Sequence, residues 1–132
     1  MKLGYNIRFL DSISLIVGTP IKKFAKVFGF DEDKYKKGDF PYLSNNPENW
    51  NYVGAYPDKS YYGYKSKRKV DCQEFSKWYE NVQDKTFNFQ EEFISYCKQD
   101  VIILREGCIS FRNLFIKLRN LDPFVYFTLP QV

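Results

Sequence analysis

From Asn88 to about Leu118 the chain carries one long helical pattern with no proline in it, and this run commits nearly a quarter of the sequence to a single helix. Asn88 followed by Glu91 is an N-terminal signature. The apolar positions Cys97, Val101, Leu104, Cys108, Phe111, Phe115 and Leu118 follow a 4-3 spacing that predicts the buried stripe. Beside that stripe lie Tyr96 and Asp100, four residues apart and therefore stacked on one face, at the margin of the core. A carboxylate so placed can hold a divalent cation, and a tyrosine one turn before it can hydrogen-bond a water or a phosphate at that metal, which suits metal-assisted phosphodiester hydrolysis. Alone, Tyr-x-x-x-Asp is a weak pattern, more often a surface aspartate beside a half-buried tyrosine.

At 132 residues, 44% hydrophobic and 27% charged, the chain has the length of one module or a piece of one. A net charge of +4 permits a polyanionic partner without demanding one. No stretch approaches the ~18 apolar residues a membrane span needs, and the N-terminus lacks the apolar core of a signal peptide, so no membrane and an intracellular location are expected. Cys97 and Cys108, ~16 Å apart along one helix, are too distant for a disulfide; with Cys72 they are expected to be reduced. The sequence contains no histidine, which excludes Ser-His-Asp and Cys-His mechanisms and weakens the case for zinc. Chemistry must rest on carboxylates, lysine, tyrosine or a hard metal ion.

Along the chain, Tyr5 to Asp11 alternates as a short strand ending in a carboxylate, where an α/β site would collect its acids. Thr19-Pro20 signals a helix start, Ile21, Phe24, Ala25 and Phe28 form its apolar stripe, and Gly29 closes it. From Asp31 to Lys69 the sequence is rich in Asn, Pro, Gly, Tyr and Lys with little periodicity, as in a functional excursion rather than a connector. Within it, Tyr52, Tyr56, Tyr61, Tyr62 and Tyr64 interleave with Lys59, Lys65, Lys67, Arg68 and Lys69. Such a segment could stack bases and contact phosphates of a single strand, although Tyr-rich loops more often pack on their own domain. Asp71 and Glu74 mark the next helix, burying Phe75, Trp78, Tyr79 and Val82.

The series Phe9-Leu10-Asp11-Ser12, Lys36-Lys37-Gly38-Asp39-Phe40-Pro41, Asn49-Trp50-Asn51-Tyr52-Val53-Gly54, Trp78-Tyr79 and Tyr96-Cys97-Lys98-Gln99-Asp100-Val101-x-x-Leu104 resembles, in order and spacing, the exonuclease region of type B DNA polymerases of the organellar, viral and transposon class, which are protein-primed. The resemblance covers nearly the whole chain. It implies that Asp100 ligates a Mg²⁺ or Mn²⁺ ion, that Tyr96 orients the attacking water, and that Lys37 assists 3′-to-5′ hydrolysis at the scissile phosphate. It also implies that Ser12 and Ile13, with Lys37, touch a single-stranded DNA 3′ end or a terminal (priming) protein, Ile13 standing where the family has leucine. Asp11 is a weaker candidate for a second metal carboxylate. Apart from the resemblance, Lys37 reads as one more solvated lysine in the run Lys34 to Lys37.

The departures from the family are informative. No aspartate in the sequence is followed two residues later by glutamate, so the first exonuclease motif is absent. The second, Asn-x-x-Phe-Asp, has only a near miss at Asn6 to Asp11. The expectation is therefore an α/β fold, a partial ribonuclease H-like exonuclease domain over 1–118. It should be helix-rich, with a short N-terminal strand, helices at about 19–29, 71–83 and 88–118, and a Tyr/Lys-rich insertion at about 31–69. Residues 119–132, through Tyr126-Phe127-Thr128-Leu129, resemble the start of the connection to a polymerase palm. Such a fragment of a DNA-directed DNA polymerase would be inactive alone and would need the remainder of the polymerase. With central strands missing, it would expose apolar helix faces and be marginally stable or self-associate. Alternatives are a non-catalytic module binding single-stranded DNA or a terminal protein, and a degenerate remnant.

Overall fold

The computed structural model describes residues 2–3 and 7–126. It is helix-rich, with two antiparallel strand pairs: β1 (Lys2–Leu3) with β2 (Ile7–Arg8), and β3 (Val53–Ala55) with β4 (Thr86–Asn88). Among the described residues there are also three α-helices, α1 (Phe24–Phe28), α2 (Lys69–Val82) and the 31-residue α3 (Phe89–Arg119), joined by short 3₁₀ turns. The chain divides into two compact units, residues 1–37 with 100–132, and residues 38–99. These features agree with an α/β class in its coarse sense.

In the first unit, Leu15, Ile16, Phe24, Ile103 and Phe111 form the core, with Phe28, Phe115 and Phe124 packed against it. The chain enters α1 through a 3₁₀ turn at Ile21–Lys23. Pro20 holds the cap position with no side-chain cap, so Thr19 does not cap the helix as its sequence position suggests. The stop is as expected: Gly29 lies at φ 71°, the left-handed conformation that glycine adopts without penalty, and its N–H bonds the Ala25 carbonyl. Phe24 then seats on α3 at Gly107. A Cβ built there would lie 2.2 Å from Phe24 Cδ2, so only glycine admits the ring.

That seat corrects the stripe assigned to α3. Ile103 is fully buried and Phe111 nearly so, whereas Val101 and Leu118 are about two-thirds exposed and Cys97 faces solvent. The 4-3 pattern through Cys97, Val101 and Leu104 is real in the sequence, but the close approach of Phe24 at Gly107 turns the face Ile103-Gly107-Phe111 inward. Beyond α3, Asn120 takes φ 53°, and its N–H closes on the Ile116 carbonyl at 2.9 Å. Asp122 caps the next turn by accepting from Phe124 N at 3.1 Å, and its other oxygen accepts from Arg112 Nε and Nη2 at 2.9 and 2.6 Å.

The N-terminal strand is also corrected. Tyr5 and Asn6 lie outside the described residues, and strand structure stops at Arg8. Asp11 ends no strand; it caps the 3₁₀ turn Ser12–Ser14, Oδ1 accepting from Ile13 N at 3.1 Å. Of the expected connection, residues 127–132 lie outside the described residues.

The second unit holds the excursion. β3 and β4 pair with Val53 opposite Asn88 and Ala55 opposite Thr86, order that the irregular composition of 31–69 does not announce. Two aromatic clusters fill the unit: Phe40, Phe87 and Phe89, and Tyr62, Phe75 and Tyr79. Helix α2 starts at Lys69 rather than Asp71; Arg68 is its unassisted cap residue, and Asp71 in the first turn accepts from Arg68 Nε at 2.9 Å. Asn88 plays its expected part, Oδ1 accepting from Glu91 N at 3.3 Å at the head of α3.

Two outcomes follow. Gly107→Ala gains helix propensity but overpacks Phe24, and should lower stability by about 1–3 kcal/mol in chemical denaturation. The Arg112 hydrogen bonds hold the Asp122 carboxyl below the usual carboxylate range. Their contribution is therefore present above the unfolded carboxylate pKa and fades as pH falls through the lower folded one. Asp122→Asn should remove that fading from the acid limb of a stability-versus-pH curve.

Candidate functional site

Lys37 is the last residue of the first unit's N-terminal segment, and Asp100 is the first of its C-terminal segment. Lys37 Nζ lies 3.1 Å from Asp100 Oδ2, a hydrogen-bonded ion pair between residues 63 apart in sequence. Both side chains are about 30% exposed. This sets Lys37 apart from Lys34 and Lys36, which are exposed, so the reading of Lys37 as one more solvated lysine fails. Asp100 Oδ1 is buried and has no hydrogen-bond partner among the described residues. An ionised carboxylate oxygen left so carries a desolvation cost that a cation or donor would relieve.

Tyr96 is one helical turn earlier on α3 and belongs to the second unit. Its ring is half-buried against Phe40, centroids 5.5 Å apart. The neighbouring Lys37-Gly38-Asp39-Phe40 run therefore does three jobs. Lys37 takes Asp100, Phe40 takes the Tyr96 ring, and Asp39 accepts from Lys67 Nζ at 3.2 Å. The last of these was missed in the sequence, since nothing in the spacing of Lys67 singles it out from its basic neighbours.

Asp11 and Ser12 occupy a different place. With Leu10, Leu15, Leu104, Cys108 and Phe124 they line a cleft of about 410 Å³ in the first unit. Leu104 and Cys108 stand one and two turns beyond Asp100 on α3. Ile13 is 64% exposed on the outside of the same turn. Among the described residues no three Asp, Glu, Cys or His side chains gather. The donor chemistry at Asp100 fits one hard-cation ligand, an orphaned carboxylate oxygen, and stops short of a whole coordination shell.

The Tyr/Lys segment packs on its own unit. Tyr62 is buried beside Phe75, and burial pushes its phenol pKa up. Tyr56 donates to Glu92 Oε1 at 3.3 Å, burial first and that carboxylate second raising its pKa. Lys59 lies over the rings of Tyr64 and Tyr79, and Lys67 over Phe75. Tyr52 and Tyr61 alone of the five remain on the surface. No helix among the described residues is long and apolar enough to cross a membrane.

Comparison with known proteins gives this arrangement its context. A probable DNA polymerase from Neurospora intermedia is 27% identical over 133 residues, covering 99% of this chain and 13% of the relative. A probable DNA polymerase from Ascobolus immersus is 25% identical over 130 residues, covering 97% of this chain and 10% of the relative. The chain thus spans 10–13% of the length of these relatives. No solved structure matches it. The family model described as DNA polymerase type B, organellar and viral, matches residues 1–132, and the chain belongs to that family.

Proposed function

We propose that this chain supplies part of a 3′-to-5′ proofreading exonuclease to a protein-primed DNA polymerase, within a partial ribonuclease H-like domain. The observation that carries the reading is the Lys37–Asp100 pair with the orphaned Asp100 Oδ1. Family membership and the Tyr96-x-x-x-Asp100 spacing support it.

In this reading Asp100 holds a Mg²⁺ or Mn²⁺ ion. Such an ion, when bound, supplies charge neutralisation at the phosphate and activation of water. Lys37 holds Asp100 in the resting chain and turns its ammonium to the scissile phosphate of a single-stranded 3′ end. A compact charge on a flexible stem suits that exchange. Tyr96, its ring braced by Phe40, orients the attacking water through its hydroxyl. Ser12 and Ile13 contact the DNA strand or a terminal protein. The remaining metal ligands come from other parts of a longer polymerase, since this sequence has no Asp-x-Glu.

The test is Mn²⁺ binding followed by paramagnetic broadening of NMR signals. Broadening should centre on Asp100 and Lys37 and vanish in Asp100→Asn; a folded chain that shows none would sink the metal role. Lys37→Met should bind Mn²⁺ about fivefold tighter, because the ~1 kcal/mol of a part-exposed pair no longer competes. Weaker binding would mean that Lys37 organises the site instead. Digestion of a 3′-labelled single-stranded oligonucleotide is expected to be absent with the chain alone. Digestion that depends on Asp100 would show the site to be complete and overturn the partial-domain reading.

A further inference from the structure

The second unit contains a pocket that the candidate site does not use. Its volume is about 220 Å³, and Tyr52, Pro57, Tyr61, Phe87 and Phe89 line it, with Ser44 and Asn49 at a polar edge. All of these residues fall within 38–99. Phe87 and Phe89 are buried, whereas Tyr52 and Tyr61 are 40% and 44% exposed. Tyr52 is fixed in place: its hydroxyl donates to the Ala55 carbonyl at 2.6 Å, and a Cβ at Gly54 would lie 3.0 Å from its oxygen. Asn49 is fixed as well. One amide N–H donates to the Ser44 carbonyl at 2.8 Å, and its own carbonyl accepts from Tyr52 N at 2.9 Å. The amide's second N–H and Oδ1 remain as an adjacent donor and acceptor.

We propose that this pocket takes one unpaired base of single-stranded DNA, with Tyr52 and Tyr61 as stacking surfaces and Asn49 at the base's hydrogen-bonding edge. The volume admits a single ring system, since pockets for drug-sized ligands begin at ~300 Å³. An adjacent donor and acceptor is what an Asn amide uses to read adenine bidentately, and an aliphatic or proline side chain would leave both groups unpaired. A base inside a duplex has both faces stacked, so the ligand is an unpaired one. No Lys or Arg lines the pocket, so a free nucleotide's phosphates find no partner there, whereas a strand gains its stacking energy base by base. Membership in a DNA polymerase family supplies the strand. The proposal is independent of metal chemistry at Asp100 and of the contacts assigned to Ser12 and Ile13, which belong to the first unit.

The experiment mixes the full chain with a short oligodeoxyadenylate carrying one central 2-aminopurine, whose emission falls when the base stacks on a ring. Quenching should saturate. Tyr61→Leu should weaken binding about tenfold and Tyr61→Phe less than about twofold, since a ring without the hydroxyl still stacks, and both should keep the circular dichroism spectrum. An abasic sugar-phosphate oligomer of equal length, and dAMP, should each compete about tenfold more weakly than the unlabelled strand. No saturable quenching by the folded chain, undiminished binding by Tyr61→Leu, or equal competition by the abasic oligomer overturns the proposal. Equal competition by dAMP would assign the pocket to a free nucleotide, and displacement of the strand by a decaproline peptide would assign it to an extended protein segment. Either result also overturns it.

Discussion

The ion pair between Lys37 and Asp100 is the constraint around which the first unit is organised. The polypeptide leaves that unit after Lys37 and rejoins it at Asp100, so the two side chains stand at the points of departure and return. Joining two distant segments costs loop entropy that grows only slowly with loop length, and local contacts at the junction offset part of it. A partly buried pair does this at the expense of desolvation, and here one carboxylate oxygen is left without compensation. Stability alone gives no reason to keep a charge there. A structural role and the proposed functional one thus meet in the same two residues.

The sequence discloses local features well and distant ones poorly. Gly29 as a helix stop, Asn88 as a cap, and the extent of α2 and α3 to within about two residues all rest on chemistry confined to one turn. The buried face of α3 could not be read the same way. It is decided by Phe24, far away in sequence, which fits only where Gly107 has no side chain. The strand Val53–Ala55 escaped notice because three residues around a glycine carry no alternation to detect.

The candidate site was legible in the same uneven way. Tyr96 and Asp100 are visible through helical spacing, and Lys37 through its resemblance to a family motif, but their partners are not. The salt link from Asp39 to Lys67 and the ring contact between Phe40 and Tyr96 show that the Lys37-to-Phe40 run is braced residue by residue. Of the aromatic and basic residues in 52–69, suggestive of nucleic acid as a sequence, Tyr56, Tyr62, Tyr64, Lys59 and Lys67 take part in internal packing, while Tyr52, Tyr61, Lys65, Arg68 and Lys69 are exposed.

Both tryptophans, Trp50 and Trp78, fall within residues 38–99, and Trp78 is ringed by Tyr56, Tyr62, Phe75 and Tyr79. The first unit has no such chromophore. Indole emission therefore reports on one unit alone, while amide ellipticity, dominated by the helices, reports on both. Disagreement between the two signals during unfolding would reveal that the units melt separately, with no label added to the protein.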